Sequence, residues 1–228
     1  MPFSNFESVL VALDVPSSER ALELAHQLEP HVGGFKIGLE LFCACGPQIV
    51  EQIGPSRVFL DLKFHDIPNT VATACRVAAK MGVKIFNVHC LGGLEMMRAA
   101  VDATREVNPN VHLIGVTVLT SHDADSLARL GLQDSPREVV LRLAELARQA
   151  GLDGVVCSPR EILPVRETCG ADFLLVTPGI RPQNADAGDQ KRTLSPREAL
   201  QAGANYLVVG RPLTGALDPV AAAKKLFD

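Results

Sequence analysis

Eight short apolar runs, spaced along the chain and separated by longer segments of helical period, constrain the fold of this sequence most. The runs are Val9–Leu13, Phe35–Gly38, Val58–Leu62, Ile85–His89, Leu113–Val118, Gly154–Cys157, Phe173–Thr177 and Tyr206–Val209. The segment from Ser17 to Leu28 opens with Ser-Ser-Glu, a helix-capping pattern, and sets Leu22, Ala25 and Leu28 near one face. Pro136 to Ala150 repeats apolar residues at i, i+3 and i+4, through Val139, Val140, Leu143, Leu146 and Ala147. Ser precedes Pro159 and Pro196, marking two further helix openings. Strands that alternate with helices pair in parallel through right-handed crossovers. Eight such units, with runs apolar on both faces, predict an α/β fold closed into a (β/α)8 TIM barrel, a single domain spanning residues 1–228. An open doubly wound sheet shares the alternation, but no Gly-x-Gly-x-x-Gly follows the first run, which argues against a dinucleotide-binding version of it.

Composition narrows the function classes. With nine Phe, one Tyr and no Trp, the core has to be aliphatic. A net charge of −4 argues against a nucleic-acid polymer as partner, because displacing counterions from a duplex needs a basic surface. It leaves room for one nucleotide, whose phosphate a few placed cations can hold. The six Cys form no Cys-x-x-Cys pair and read as reduced thiols, and His26, His31, His112 and His122 show no metal-ligand spacing, so no metal is expected. The opening MPFSNFESVLVALD has no basic segment followed by a long apolar one, and no run approaches the roughly 20 residues of a membrane span. The expected setting is the cytoplasm, without membrane attachment. The longest expected loop, Gly179 to Leu194, is polar and rich in Gly, Asp, Gln and Arg, the character of a functional lid.

The most informative stretch is Asp61-Leu-Lys-Phe-His-Asp-Ile-Pro-Asn-Thr70, at the end of the third run. Asp61 and Lys63 are two apart, so strand alternation sends both to one side. Lys36 interrupts the second run, and Asp14 ends the first. In a barrel these ends converge on one mouth, where barrel active sites lie. Charges at strand ends are costly unless paired. Here the signs alternate, and an Asp about 4 Å from a Lys gains roughly 4 kcal/mol at an effective dielectric of 20 before desolvation. At the other end, Gly210 and Arg211 follow the eighth run, and Arg181 and Gln190 lie on the loop after the seventh. Barrels often bind phosphate on these two loops, and Arg presents a planar fork of donors suited to it.

Read whole, Asp61-x-Lys63-x-x-Asp66 with Ile67-Pro68-Asn69-Thr70 resembles the signature of the orotidine 5′-monophosphate decarboxylases. Lys36 matches that family's upstream lysine, and Asp14 in Leu-Asp-Val-Pro its first-strand aspartate. Pro178-Gly-Ile-Arg-Pro182 with Gly188-Asp-Gln-Lys-Arg192 matches its phosphate loop, and Val208-Val-Gly-Arg-Pro212 its last-strand phosphate site. The resemblance runs from about residue 9 to 212, with the motifs in order.

It implies cofactor-free decarboxylation of orotidine 5′-monophosphate to UMP, with Lys63, Asp61, Asp66 and Lys36 as catalytic residues. It further implies that Lys63 gives a proton to C6 and that Asp14 and Lys36 bind ribose hydroxyls. Arg181, Gln190, Gly210 and Arg211 hold the phosphate, and Thr120 and Ser158 are further substrate contacts. Ser158 reads equally as a cap before Pro159. Asp66 and Thr70 are implied to reach the neighbouring subunit's site, making a homodimer. His65 receives no chemistry from the resemblance, and His89 reads as a hydrogen-bonding residue of the barrel mouth. The nearest rival is a metal-dependent sugar-phosphate decarboxylase or aldolase of the same superfamily, which Lys36 disfavours by placing a cation where an acidic metal ligand would stand. A nucleotide-sensing barrel without activity is disfavoured by the cost of keeping the charged cluster.

Overall fold

The computed structural model describes residues 5–181 and 194–228. Eight strands, β1 (Val9–Ala12), β2 (Gly34–Ile37), β3 (Val58–Phe64), β4 (Ile85–His89), β5 (His112–Val116), β6 (Gly154–Val156), β7 (Leu174–Thr177) and β8 (Tyr206–Val209), each lie parallel to the next. β8 closes back on β1, with Val9 opposite Leu207 and Val11 opposite Val209. Closure excludes the open sheet and leaves no strand edge exposed. Each run read from the sequence coincides with a strand to within about two residues at either end. The largest gain is at β3, which continues past Leu62 to Phe64.

The helices among the described residues are α1 (Ser18–Leu28), α2 (Leu39–Cys45), α3 (Gln48–Ile53), α4 (Pro68–Lys80), α5 (Gly93–Val107), α6 (Ala124–Arg129), α7 (Pro136–Ala150), α8 (Ile162–Cys169), α9 (Pro196–Gln201), α10 (Arg211–Thr214) and α11 (Pro219–Lys224). Local chemistry sets their ends. Ser17 caps α1 by accepting from the Arg20 amide at 3.3 Å. Ser135 and Glu138 cap α7 reciprocally, and Gly151 ends it in the left-handed region at φ 87°. α9 opens on the same Ser-Pro pattern, with Ser195 and Glu198 as the capping pair. Pro159 opens a short 3₁₀ turn rather than the helix itself, which begins at Ile162.

Period-two alternation sorts the strand residues into two cores. Leu10, Ala12, Phe59, Ile85, Ile114, Val176, Tyr206 and Val208 fill the inside of the barrel. Their neighbours, including Val9, Val11, Phe35, Ile37, Leu60, Phe86, Val88, Leu175 and Leu207, pack outward under the helices. At the opposite end from the mouth, the Lys84 ammonium lies 4.8 Å from the centre of the Tyr206 ring. No described helix is long and apolar enough to cross a membrane.

The same alternation places the site. Along the inward face, β1 reads Leu10, Ala12 and then Asp14, β3 reads Phe59 and Asp61, with Lys63 reaching the same mouth across a bulge, and β4 reads Ile85, Asn87 and His89. Each begins apolar and becomes polar toward its C-terminal end, so the barrel has an oily base and a charged mouth. The long loop leaves β7 through a parallel bridge between Ile180 and Leu194, with the Arg181 amide donating to the Leu194 carbonyl at 3.1 Å. Residues 182–193, Gln190 among them, lie outside the described residues.

Candidate active site

A cavity of about 480 Å³ opens at the C-terminal mouth, a size suited to a nucleotide-sized ligand. Its charged side is made by the first three strands. The Lys36 ammonium donates to Asp14 Oδ1 at 2.8 Å and lies 3.7 Å from Asp61 Oδ2. The Lys63 ammonium donates to Asp61 Oδ1 at 2.8 Å. Signs therefore alternate from Asp14 to Lys36, Asp61 and Lys63, each cation against a carboxylate. Gly38 leaves space for this row, because a Cβ there would stand 2.9 Å from Lys36 Nζ and 3.0 Å from Asp14 Oδ1.

Asp61 carries the electrostatic weight. Burial alone would raise its pKa, yet the Lys36 and Lys63 charges and the hydrogen bonds from Lys63 and Asn87 outweigh it. The carboxyl is held below its ordinary value and stays ionised. Lys63 is unusual in its backbone. It has φ 53°, the single non-glycine residue at positive φ among the described residues. Such a conformation persists in an L-residue when surrounding contacts enforce it, and it concentrates at functional sites. His65 and His89 stack beside this segment, with ring centres 5.4 Å apart. Burial first, and then the charges of His65, Lys63 and His122, push the His89 pKa down to about 4, so its ring is neutral and accepts from the Leu91 amide at 3.3 Å through Nδ1.

Across the cavity stand Arg181, just after β7, and Gly210 and Arg211, the cap and first residue of α10 after β8. Arg181 also donates to the Ile180 carbonyl at 2.9 Å. Gly210 has φ −106°, so the left-handed freedom of glycine is not what it supplies. The nearest atom to a Cβ there would be Ala12 Cβ at 3.5 Å, an ordinary contact. Thr120 lines the wall beyond β5, and Ala12, Phe59, Val116, Val156 and Val208 supply the apolar surface.

Eight of the residues picked out in the sequence thus line one cavity: Asp14, Lys36, Asp61, Lys63, Thr120, Arg181, Gly210 and Arg211. Three do not. Asp66 and Thr70 are exposed and away from the cavity of the single chain, and Asp66 accepts from the Ile67 amide at 2.6 Å. Ser158 is buried and its hydroxyl donates to Glu161, while its neighbours Val156 and Cys157 face the cavity. Two residues that sequence reasoning passes over also shape the site, Gly38 and Asn87. Asn87 had a readable signal, an amide in an apolar strand at inward parity, subject to the same burial cost as a charge.

A closed parallel barrel with a row of alternating Asp and Lys at its mouth, and arginines just after its last two strands, defines a barrel enzyme for a small anionic substrate. The family model for orotidine 5′-phosphate decarboxylase / HUMPS matches residues 7–226, and the chain belongs to that family. It is an enzyme, a carboxy-lyase. Among curated relatives, the orotidine 5′-phosphate decarboxylase of Halorhodospira halophila is 54% identical over 217 residues, covering 94% of this chain and 92% of that protein. That of Hydrogenovibrio crunogenus is 53% identical over 220 residues, covering 96% and 93%. The crystal structure of orotidine 5′-phosphate decarboxylase from Lactobacillus acidophilus superposes with a TM-score of 0.83 at 38% identity, covering 96% of both chains.

Proposed function

We propose that this chain decarboxylates orotidine 5′-monophosphate to UMP, the last step of de novo UMP synthesis, with Lys63 delivering the proton to C6. The observation that carries the reading is the Lys63 ammonium at the cavity wall, held 2.8 Å from an Asp61 carboxylate that stays ionised. The C6–carboxylate bond breaks, CO₂ leaves, and the electron pair stays on C6. The ring offers that pair no delocalising sink, so preorganised positive charge has to stabilise it as it forms. Lys63 supplies the charge and then the proton, and recovers its own proton from water. Asp61 keeps the Lys63 ammonium aimed, and stands beside the departing carboxylate. Lys36 and Asp14 take the ribose hydroxyls, with Lys36 also steadying Asp61.

Arg181, Gly210 and Arg211, together with Gln190 on the loop, receive the phosphate, and Thr120 contacts the substrate near the β5 end. Binding energy at the phosphate, remote from C6, can still lower the barrier at the reacting carbon. Ser158 joins the substrate once its hydroxyl turns from Glu161 to the pyrimidine edge. Asp66 and Thr70 complete the site of a second subunit in a homodimer. Their exposure in the single chain accords with that role, and exposed Ile67 at the start of α4, Val77 on α4 and Leu91 ahead of its neighbour α5 offer apolar surface for the pairing. The reaction uses no metal and no organic cofactor, and the setting is the cytoplasm.

Purified protein given orotidine 5′-monophosphate should produce UMP and CO₂ at a rate that EDTA leaves unchanged. Lys63→Ala should abolish turnover while the protein remains folded. Loss of activity in EDTA would favour the metal-dependent sugar-phosphate chemistry instead, and near-normal kcat in Lys63→Ala would refute the role of Lys63.

A further inference from the structure

We propose that Asn87 is a positioning residue for the reaction: its carboxamide bridges Asp61 and Lys63 and sets where the Lys63 ammonium stands. The inference rests on the decarboxylation reading above.

The geometry begins with a break in the barrel ladder. β3 and β4 pair at Leu60 and Phe86, and next at Phe64 and Val88. Between those pairs β3 carries three residues, Asp61, Leu62 and Lys63, and β4 carries one, Asn87. The strand that holds the reacting groups therefore bulges away from its neighbour at those groups, and a bulge leaves backbone groups without ladder partners. Asn87 fills the gap with its side chain. Its Oδ1 accepts from the Lys63 amide at 2.7 Å, and its Nδ2 donates to Asp61 Oδ1 at 2.7 Å. The same Asp61 oxygen accepts the Lys63 ammonium. One carboxamide thus holds the backbone of Lys63 and the carboxylate to which the Lys63 side chain is tied.

Three further facts fit a positioning role. Asn87 is fully buried, in a strand whose neighbours Phe86 and Val88 are apolar, where an amide is costly unless its bonds are made. Lys63 holds its left-handed φ of 53° at the point where the Asn87 carbonyl receives its N–H. Asn87 does not line the cavity, so it reaches the chemistry only through Asp61 and Lys63. Without the carboxamide, the bulge loses the contact that holds its N–H, and Lys63 relaxes toward an extended backbone that aims its side chain elsewhere.

The test compares wild type, Asn87→Ala and Asn87→Asp, first for turnover of orotidine 5′-monophosphate and then for binding of UMP. Asn87→Asp guards against a folding failure in the alanine variant, since it keeps the shape and the acceptor for the Lys63 amide while removing the donor to Asp61. In both variants kcat should fall roughly 10- to 100-fold, the range for losing a hydrogen bond to a charged group. UMP affinity should stay within about threefold, because the phosphate end across the barrel is untouched.

The acid limb of the kcat/KM profile should move to higher pH, since the Asn87 N–H is one of the contacts that lower the Asp61 pKa. The charged groups facing Asp61, Lys36 from β2 and Lys63 from its own strand, remain in both variants. Asn87→Asp should move the limb further, by adding a second carboxylate. A kcat within about threefold of wild type in both variants would overturn the inference. So would parallel loss of kcat and UMP affinity with an unmoved pH profile, which is what a merely structural asparagine would give. A wild-type protein that leaves orotidine 5′-monophosphate unchanged would overturn the parent reading and this inference together, whereas failure in the variants alone would overturn only the role of Asn87.

Discussion

Replacing Gly38 by alanine probes the charged row with a single methyl group. Gly38 has φ −94° and ψ −174°, a conformation open to any L-residue, so the substitution carries no backbone strain. Its cost is steric and local. The new Cβ would sit 2.9 Å from Lys36 Nζ and 3.0 Å from Asp14 Oδ1, whereas non-bonded heavy atoms settle about 3.5 Å apart or more. Both side chains must retreat by roughly half an ångström, and the 2.8 Å bond between them is stretched to the edge of hydrogen-bonding range. Losing most of one charge-assisted bond amounts to about 1.5–3 kcal/mol, or roughly 10- to 100-fold in kcat/KM.

Stability should hardly change. The displaced atoms are the ends of flexible side chains, and alanine for glycine at the start of α2 costs under about 1 kcal/mol. The assay pairs steady-state kinetics on orotidine 5′-monophosphate with urea unfolding of the same preparations. A kcat/KM within about threefold of wild type would show that the Lys36–Asp14 contact has slack, and that the space at Gly38 is not what tunes the site. An equal fall in stability would instead mark Gly38 as a folding requirement.

Other consequences concern sharing, phosphate and acid. Asp66→Ala and Lys63→Ala proteins should each be nearly inactive, and their mixture should recover activity, because a hybrid dimer has one site with both defects and one with neither. No recovery, with subunit exchange verified by mass spectrometry, would rule out a shared site. Arg211→Ala should cost roughly 2–3 kcal/mol of transition-state stabilisation with the nucleotide and almost nothing with a substrate lacking the phosphate. Equal losses on both substrates would remove Arg211 from the phosphate site. The folded-state pKa of His89 lies at about 4 against an ordinary 6.5, depressed by burial first and then by neighbouring positive charge. Between those pH values the unfolded chain binds more protons than the folded one, so the contribution of His89 is complete above pH 6.5 and is lost as pH falls toward 4. The urea midpoint of His89→Gln should therefore drop less between pH 7 and pH 5 than that of wild type, and equal drops would refute the assignment.

The eight strands are legible in the sequence because a strand's period is local. Alternation along Leu10, Ala12 and Asp14, or along Phe59 and Asp61, separates inward from outward residues before any partner strand is known. Parity together with the parallel-barrel rule brings Asp14, Lys36 and Asp61 to one mouth, and the motif resemblance adds their chemistry. Ser17, Pro136 and Pro196 mark helix starts for an equally local reason, since capping and proline geometry act within one turn.

Three features of the site are decided only by the assembled barrel. The regular alternation that sets Lys63 beside Asp61 is a simplification, because the two meet across a bulge with Lys63 at φ 53°, held by Asn87 from a strand 24 residues on. Ser158 donates to Glu161 and does not line the cavity, and that depends on how the short turn after β6 packs. The distances from Lys36 to Asp14 and to Asp61 depend on how far β1, β2 and β3 are staggered when the sheet closes. The sequence by itself determined which residues face inward and which kinds of charge meet there, because backbone period is a property of a few consecutive residues. Tertiary structure alone decided which atoms touch, because contact between strands depends on stagger and closure, which belong to all eight strands together.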